Sequence, residues 1–297
     1  MRVIFILIIL FVNTVNAAEF AITMDDPNTF SKPLFSSEER NQKILSQLNF
    51  LNTKAALFVS GVRVNSDEGV NLLKNWDREG HLIGNHTFSH MYYNNSKLSF
   101  EEYSADIMKV EPLIKNLDNF EKIFRFPYLK SGNSKSKRDK VRSFLKSNKY
   151  KYGYVTIDAS DWYISDRLEK RLEKNPKANI DGYRTYYLNH MWNRATYYDE
   201  LAQKVIGRSP KHTILIHHNL LNALFLKDLV KHFESKGWKL IDAKEAFNDP
   251  IFLQEPNTVP SGESIVWALA KENGGQGLRY PAEDGQYEKE KMDKLGL

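Results

Sequence analysis

The stretch EFAITMDD, residues 19–26, runs from apolar residues into two adjacent aspartates, and its reading sets the pattern for the whole chain. Phe20-Ala21-Ile22 reads as a buried strand, and Asp25-Asp26-Pro27 as the turn that ends it. Runs of the same kind recur as KAALFVSG (54–61), HLIGNH (81–86), KIFRFPY (122–128), YKYGYVTID (150–158), HTILIHH (212–218) and WKLIDA (238–243). Between them, helical patterns cover 36–50, 66–79, 99–117, 135–148, 196–207 and 222–236. Ser36 with Glu39 and Ser99 with Glu102 fit capping boxes, which tie the free backbone donors of a first helical turn. Repeated strand-helix alternation implies parallel strands joined by right-handed crossovers. The expectation is an α/β fold, a distorted (β/α) barrel of about seven parallel strands, with an open doubly wound sheet as the alternative.

The chain of 297 residues, 41% of them apolar, is long enough to bury one large core, which excludes disorder as the overall state. Its start, MRVIFILIILFVNTVNAAEF, places Arg2 before an apolar run and ends in the small-residue pattern Val15-Asn16-Ala17. This reads as a secretory signal over 1–17, because the run falls short of the ~20 residues of a spanning helix. The mature protein is then expected to be exported, periplasmic or secreted, with no integral membrane segment. Cysteine is absent, which excludes disulfides, thiolate metal sites and cysteine nucleophiles. The net charge of +5, or +4 once Arg2 is lost, is spread among acids and does not suggest a nucleic-acid partner. The dense basic run KSGNSKSKRDK (130–140) reads as a solvated loop.

Two segments break the rhythm. Residues 163–195 are longer than an ordinary connection and read as an insertion. Its aromatics, Tyr183, Tyr186, Tyr187 and Trp192, with Tyr197 just beyond, either stack on a ligand or pack the insertion onto the barrel. Residues 250–297 show no obvious strand and read as a peripheral C-terminal extension. The catalytic barrel would then span 18–249.

Residues that carry chemistry gather at the ends of the expected strands. His86 and His90 stand four apart in HTFSH, so one helical turn would put both imidazoles on one face. Asp25 and Asp26 end the first strand. Arg125, Pro127 and Tyr128 follow in FRFPY, Asp158, Asp161 and Trp162 in DASDW, and Leu215 and His217 in LIHH. Taken singly, each has a bland reading as a turn, a surface charge or a core residue. Together they fall at the C-terminal ends of strands, where barrel active sites assemble. Strand alternation separates Leu215 and His217 from Ile216 and His218.

The ordered set TMDD, HTFSH, RFPY, DASDW and LIHH resembles the motifs of the polysaccharide deacetylases, carbohydrate esterase family four or NodB-homology domain, over about residues 20–245. The resemblance implies metal-dependent removal of N-acetyl, sometimes O-acetyl, groups from sugar polymers. It implies Asp26, His86 and His90 as ligands of a divalent metal, usually zinc. It makes Asp25 the general base held by Arg125, and His217 the general acid oriented by Asp161. The Tyr128 backbone N–H would face the oxyanion, while Trp162 and Leu215 would line the acetyl pocket. Members usually carry glycine after the two aspartates, whereas here Pro27 follows directly, so the loop beside the ligands is expected to be built differently.

The chemistry of amide hydrolysis asks for the same parts. Three protein ligands with an open position lower the pKa of water towards ~7 and polarise a carbonyl. Two imidazoles and a carboxylate suit zinc, with cobalt or nickel as alternatives. A second, free carboxylate can take the proton from that water, and a histidine held by a carboxylate can protonate the departing nitrogen. The expected partner is an acetylated cell-wall or secreted glycan. The competing expectations are a hydrolase of another amide or ester on the same barrel, and a carbohydrate-binding protein without turnover.

Overall fold

A computed structural model describes residues 17–297, so the signal expected over 1–17 lies outside the described residues except for Ala17. In chain order the strands are β1 (Glu19–Asp25), β2 (Ala56–Val59), β3 (Leu82–Asn85), β4 (Phe120–Phe124), β5 (Lys130–Gly132), β6 (Lys151–Tyr152), β7 (His212–His217), β8 (Lys239–Leu240) and β9 (Ser261–Gly262). The helices are α1 (Ser37–Phe50), α2 (Asp67–Arg78), α3 (Phe100–Lys109), α4 (Glu111–Ile114), α5 (Lys135–Ser147), α6 (Asp161–Lys174), α7 (Asp181–Ile206), α8 (Leu220–Ser235), α9 (Ala243–Ala246), α10 (Ile265–Glu272) and α11 (Gly285–Lys294). A 7-stranded sheet runs β6-β4-β3-β2-β1-β7, with β8 beside the start of β1. Every pairing in it is parallel. The sheet curls: just past β6, Ile157 bridges Ile214 of β7 at the opposite edge. This is the distorted barrel that the strand-helix alternation implies.

Alternation along β1 sorts its side chains between two cores. Phe20, Ile22 and Met24 join the large cluster under the helices, while Ala21 packs inside the barrel with Ala56, Phe58, Leu82 and Ile123. Asp25 follows Ala21 and Thr23 on the inner face. Two glycines keep that interior open: a methyl on Gly84 would lie 2.8 Å from Ile123 and Phe58, and one on Gly153 would lie 2.5 Å from Phe58. The Phe58 ring is thereby free to sit 3.9 Å beneath the Arg125 guanidinium.

Both capping boxes form at α1 and α3. The single helix expected over 99–117 is instead two, α3 and α4, because Pro112 lacks an N–H and its ring crowds the carbonyl four residues back. The segment expected as an insertion is α6 and most of α7, a 26-residue helix. Tyr183 and Tyr187 are fully buried in the large core, and Tyr186, Trp192 and Tyr197 pack against it. Its aromatics therefore serve packing. The basic run is not a solvated loop: Lys130 opens β5, buried in an ion pair with Glu263, and α5 starts at Lys135 with a Ser134 cap.

Residues 250–297 depart furthest from expectation. Within them β9 pairs antiparallel with β5. Helix α10 buries Ile265, Val266 and Trp267 in the large core, together with Ala282 and Met292. Trp267 Nε1 donates to the Arg279 carbonyl at 3.0 Å, and Tyr186 of α7 bonds to Glu288 of α11. The extension is thus part of the core, and it reaches one side of the cavity at the strand ends.

Candidate active site

The strand ends surround a cavity of about 540 Å³. Asp25 and His217 are register partners on the neighbouring strands β1 and β7, and Thr23 and Leu215 are partners two residues earlier. Parallel pairing with period two therefore sends Asp25, Leu215 and His217 to the same face. His218 points the other way: it is buried against Asn41 and Trp76, and burial pulls its pKa down to about 3.

Asp25 is buried. Arg125 Nη1 donates to its Oδ1 at 2.6 Å, and Arg125 Nε donates to the Gly153 carbonyl at 2.8 Å. Burial pushes the Asp25 carboxyl up, while the charges of Arg125 and His217 oppose the rise. Such a balance suits a carboxylate that takes up a proton during reaction. Asp26 has left the strand and adopts φ 59°, while its N–H still bonds to the Phe58 carbonyl. The absence of glycine beside Pro27 is met here, since aspartate tolerates the left-handed region better than most residues.

His86 and His90 converge without the helical turn expected for them. Residues 86–90 form a bent loop in which Thr87 has φ 65° and His90 φ 54°. Asn85 Oδ1 accepts from the Thr87 N–H at 2.8 Å, and Asp106 Oδ2 accepts from the Ser89 N–H at 2.8 Å. The two imidazole centroids end 5.0 Å apart. Positive φ in a β-branched residue is costly, roughly 1–3 kcal/mol, and such strain gathers at functional sites.

Asp26, His86 and His90 each bring one ligand atom to within 4.8 Å of the others. His86 Nδ1 lies 2.9 Å from the Arg125 carbonyl, which can only accept, so its Nε2 carries the lone pair. Burial holds the His86 pKa down at about 3 and lowers that of His90, which leaves the rings neutral at ordinary pH. Asp26 Oδ1 is buried without a hydrogen bond among the described residues, although Arg63 Nε lies 3.1 Å away. Two neutral imidazoles and a carboxylate whose Oδ1 makes no hydrogen bond fit a divalent cation.

On β7, His217 Nδ1 meets Asp161 Oδ1 at 2.8 Å. Asp161 Oδ2 also accepts from the His217 N–H and from the side-chain amides of Asn219 and Asn222, each at 2.9 Å. Burial alone would lower the His217 pKa, but Asp161 outweighs it, with help from Asp25 and Asp26, and raises it to about 9. At neutral pH His217 is a proton donor. Tyr128, with φ 56°, sets its ring edge-on 4.7 Å from His90. Trp162 and Leu215 line the cavity beside Asp158, whose carboxyl burial pushes up to about 6.

The cavity thus brings together every residue singled out at the strand ends except Pro127, which does not line it, and Arg125 and Asp161, which stand behind Asp25 and His217. It also holds residues that the sequence did not flag. Arg63 follows β2, so its strand-end position was a usable signal. Tyr92, Lys130, Glu263, Tyr280, Glu283 and Asp284 carried none, and the last four come from the C-terminal segment.

Comparison with known proteins shows what part of this chain resembles. Residues 13–153 match the family model described as polysaccharide deacetylase. Over 114 residues the chain is 37% identical to a peptidoglycan-N-acetylglucosamine deacetylase of Bacillus cereus, covering 38% of this chain and 37% of that one. The chain therefore spans little more than a third of that relative's length. Among solved structures, a CE4 family pseudoenzyme from Bacillus anthracis is 19% identical, with 78% of this chain and 66% of that one covered and a TM-score of 0.53. The peptidoglycan deacetylase PdaC from Bacillus subtilis is 22% identical, with 78% and 90% covered and a TM-score of 0.50. Identities this low are likenesses of fold. Residues 13–153 thus resemble the polysaccharide deacetylases, a likeness that covers just under half of the chain.

Proposed function

We propose that the chain is a metal-dependent hydrolase that removes N-acetyl groups from an exported glycan such as peptidoglycan. The observation that carries this reading is one cavity lined by the triad Asp26, His86 and His90, by Asp25 backed by Arg125, and by His217 backed by Asp161. The relative from Bacillus cereus is a peptidoglycan-N-acetylglucosamine deacetylase, which agrees with that chemistry.

Zinc held by Asp26, His86 and His90 would act as a Lewis acid that acidifies water and polarises the acetamide carbonyl. Asp25 takes the proton from the attacking water, and Arg125 keeps it ionised and aimed until then. His217, protonated at neutral pH, gives its Nε2 proton to the amide nitrogen as the C–N bond breaks, while Asp161 holds its Nδ1–H. The balance is amide plus water giving acetate and amine. Trp162 and Leu215 enclose the methyl of the acetyl group, a small apolar load suited to an apolar slot. Export through the leader over 1–17 would bring the protein to such a glycan. N-terminal sequencing of the mature protein checks this, with Ala18 as the expected first residue.

Acetate release from an N-acetylglucosamine pentamer and from peptidoglycan tests the activity, on chelated, zinc-restored and Asp25→Asn protein. Release that stops with chelator, returns with zinc and is missing from the variant is expected. Fully metallated protein that frees acetate only from O-acetyl esters would move the reading to an esterase. No release from any substrate would leave a glycan-binding relative of the pseudoenzyme kind.

A further inference from the structure

The fold hides its tyrosines and tryptophans with four exceptions. Among the described residues only Tyr92, Tyr128, Trp162 and Tyr280 are exposed, at 43%, 56%, 45% and 45%. All four line the 540 Å³ cavity at the strand ends. Leaving large rings in water forgoes burial worth about 1.5–3 kcal/mol each, and a cluster of them marks a binding surface. Tyr128 and Trp162 belong to the strand-end motifs. Tyr280 does not: it comes from the C-terminal segment, outside the stretch that matches the family.

Tyr280 is also firmly mounted. Trp267 lies 5.9 Å from its ring, and the Lys130 and Lys271 ammonium groups sit 5.1 and 5.3 Å from its centroid. The residues after it are pinned at two points. The Ala282 N–H donates at 3.1 Å to Glu263, the partner of Lys130. Glu283 is held by Arg194 and by the Tyr198 hydroxyl, both on α7, and by Arg279. Asp284 follows on the cavity wall as the cap of α11. A half-exposed ring on a fixed mount, with carboxylates beside it, complements a pyranose, which offers C–H bonds on its face and hydroxyls at its edge.

We propose that residues 280–284 form a sugar-binding wall of the active site, with Tyr280 as the platform for the pyranose next to the one that reacts. This rests on the deacetylase reading only for the identity of the glycan. Tyr280 is a specificity-determining residue that touches the substrate away from the scissile bond, so it governs binding of oligomers rather than the chemical step.

The test uses the full chain and an N-acetylglucosamine pentamer. Calorimetric titration in an Asp25→Asn background gives Kd without turnover, and acetate release in the wild-type background gives KM and kcat. Tyr280→Ala is expected to weaken pentamer binding and raise KM about tenfold, with kcat changed less than about threefold. Tyr280→Phe should restore both, as a merely structural role would not separate KM from kcat. Tyr280→Leu keeps an apolar contact with Trp267 and replaces the alanine variant if that one does not fold. Unchanged Kd in the alanine or leucine variant, or no pentamer binding by the parent, overturns the wall whatever the acetate assay gives. Tyr280-dependent binding without any acetate release would keep the wall and remove the deacetylase reading.

Discussion

The strand ends of the barrel and the C-terminal segment face each other across one cavity, yet they were written into the sequence in different ways. At the strand ends, hydrolysis needs particular atoms: a carboxylate to take a proton, imidazoles with free lone pairs, a histidine that keeps its proton. Few residue types supply them, so TMDD, HTFSH and DASDW, each bland alone, stand out as an ordered set at the strand ends. Across the cavity, Tyr280, Glu283 and Asp284 supply a ring and hydrogen-bonding edges, which many residue types and spacings can provide. The difference teaches that reaction chemistry leaves a readable pattern, whereas a wall built for a substrate leaves only a shape.

Substitutions on each side can break or sharpen that contrast. The largest effect is expected at Asp25. Its change to Asn should lower kcat about 10³–10⁴-fold, equivalent to roughly 4–5 kcal/mol, with little change in melting temperature. Loss of stability matching the loss of rate would make Asp25 a structural partner of Arg125. On the other side, Trp267→Ala should cost about 3–5 kcal/mol in denaturant unfolding of the whole chain, since a buried indole leaves a cavity. An early separate transition, with the barrel unaffected, would return the segment to the periphery.

Asp161→Asn comes next, at about 10²-fold in kcat. His217 acts only while protonated and its pKa is raised to about 9, so the rate should fall as pH rises through that value. Removing the carboxylate that raises it must move this alkaline limb to lower pH. A limb that stays in place would remove His217 as the proton donor. The smallest effect is expected at Glu288, whose carboxyl is brought down to about 2 by hydrogen bonds from His190 and Tyr186 that outweigh burial. A lowered folded pKa stabilises above the ordinary value of 4.5 and loses that contribution as pH falls through about 2. Glu288→Gln should therefore lower the melting temperature at pH 7 and do so less at pH 3.

Much of the fold was legible because strand alternation and capping boxes are local signals. The helix α7 was not: Tyr183, Tyr187, Met191, Ala195 and Tyr198 form a buried stripe at helical spacing, but the length of 163–195 between expected elements suggested an insertion. Helix α10 is apolar on nearly every side and was missed as part of the core for want of any partner visible nearby in sequence. Within the site, residue identity was readable but local geometry was not. His86 and His90 meet through left-handed Thr87 and His90, held by Asn85 and Asp106, and no spacing rule announces such a loop. The missing glycine near Pro27 looked like a fault, yet Asp26 takes up the left-handed turn itself.

The most direct measurement is zinc stoichiometry by elemental analysis after exhaustive dialysis, on wild type and on Asp26→Ala, His86→Ala and His90→Ala proteins that keep wild-type circular dichroism. The account predicts one zinc per chain in the wild type and at least a tenfold lower content in each variant. Equal zinc in all four, or none in the wild type with zinc in excess, would contradict a metal centre at the strand ends.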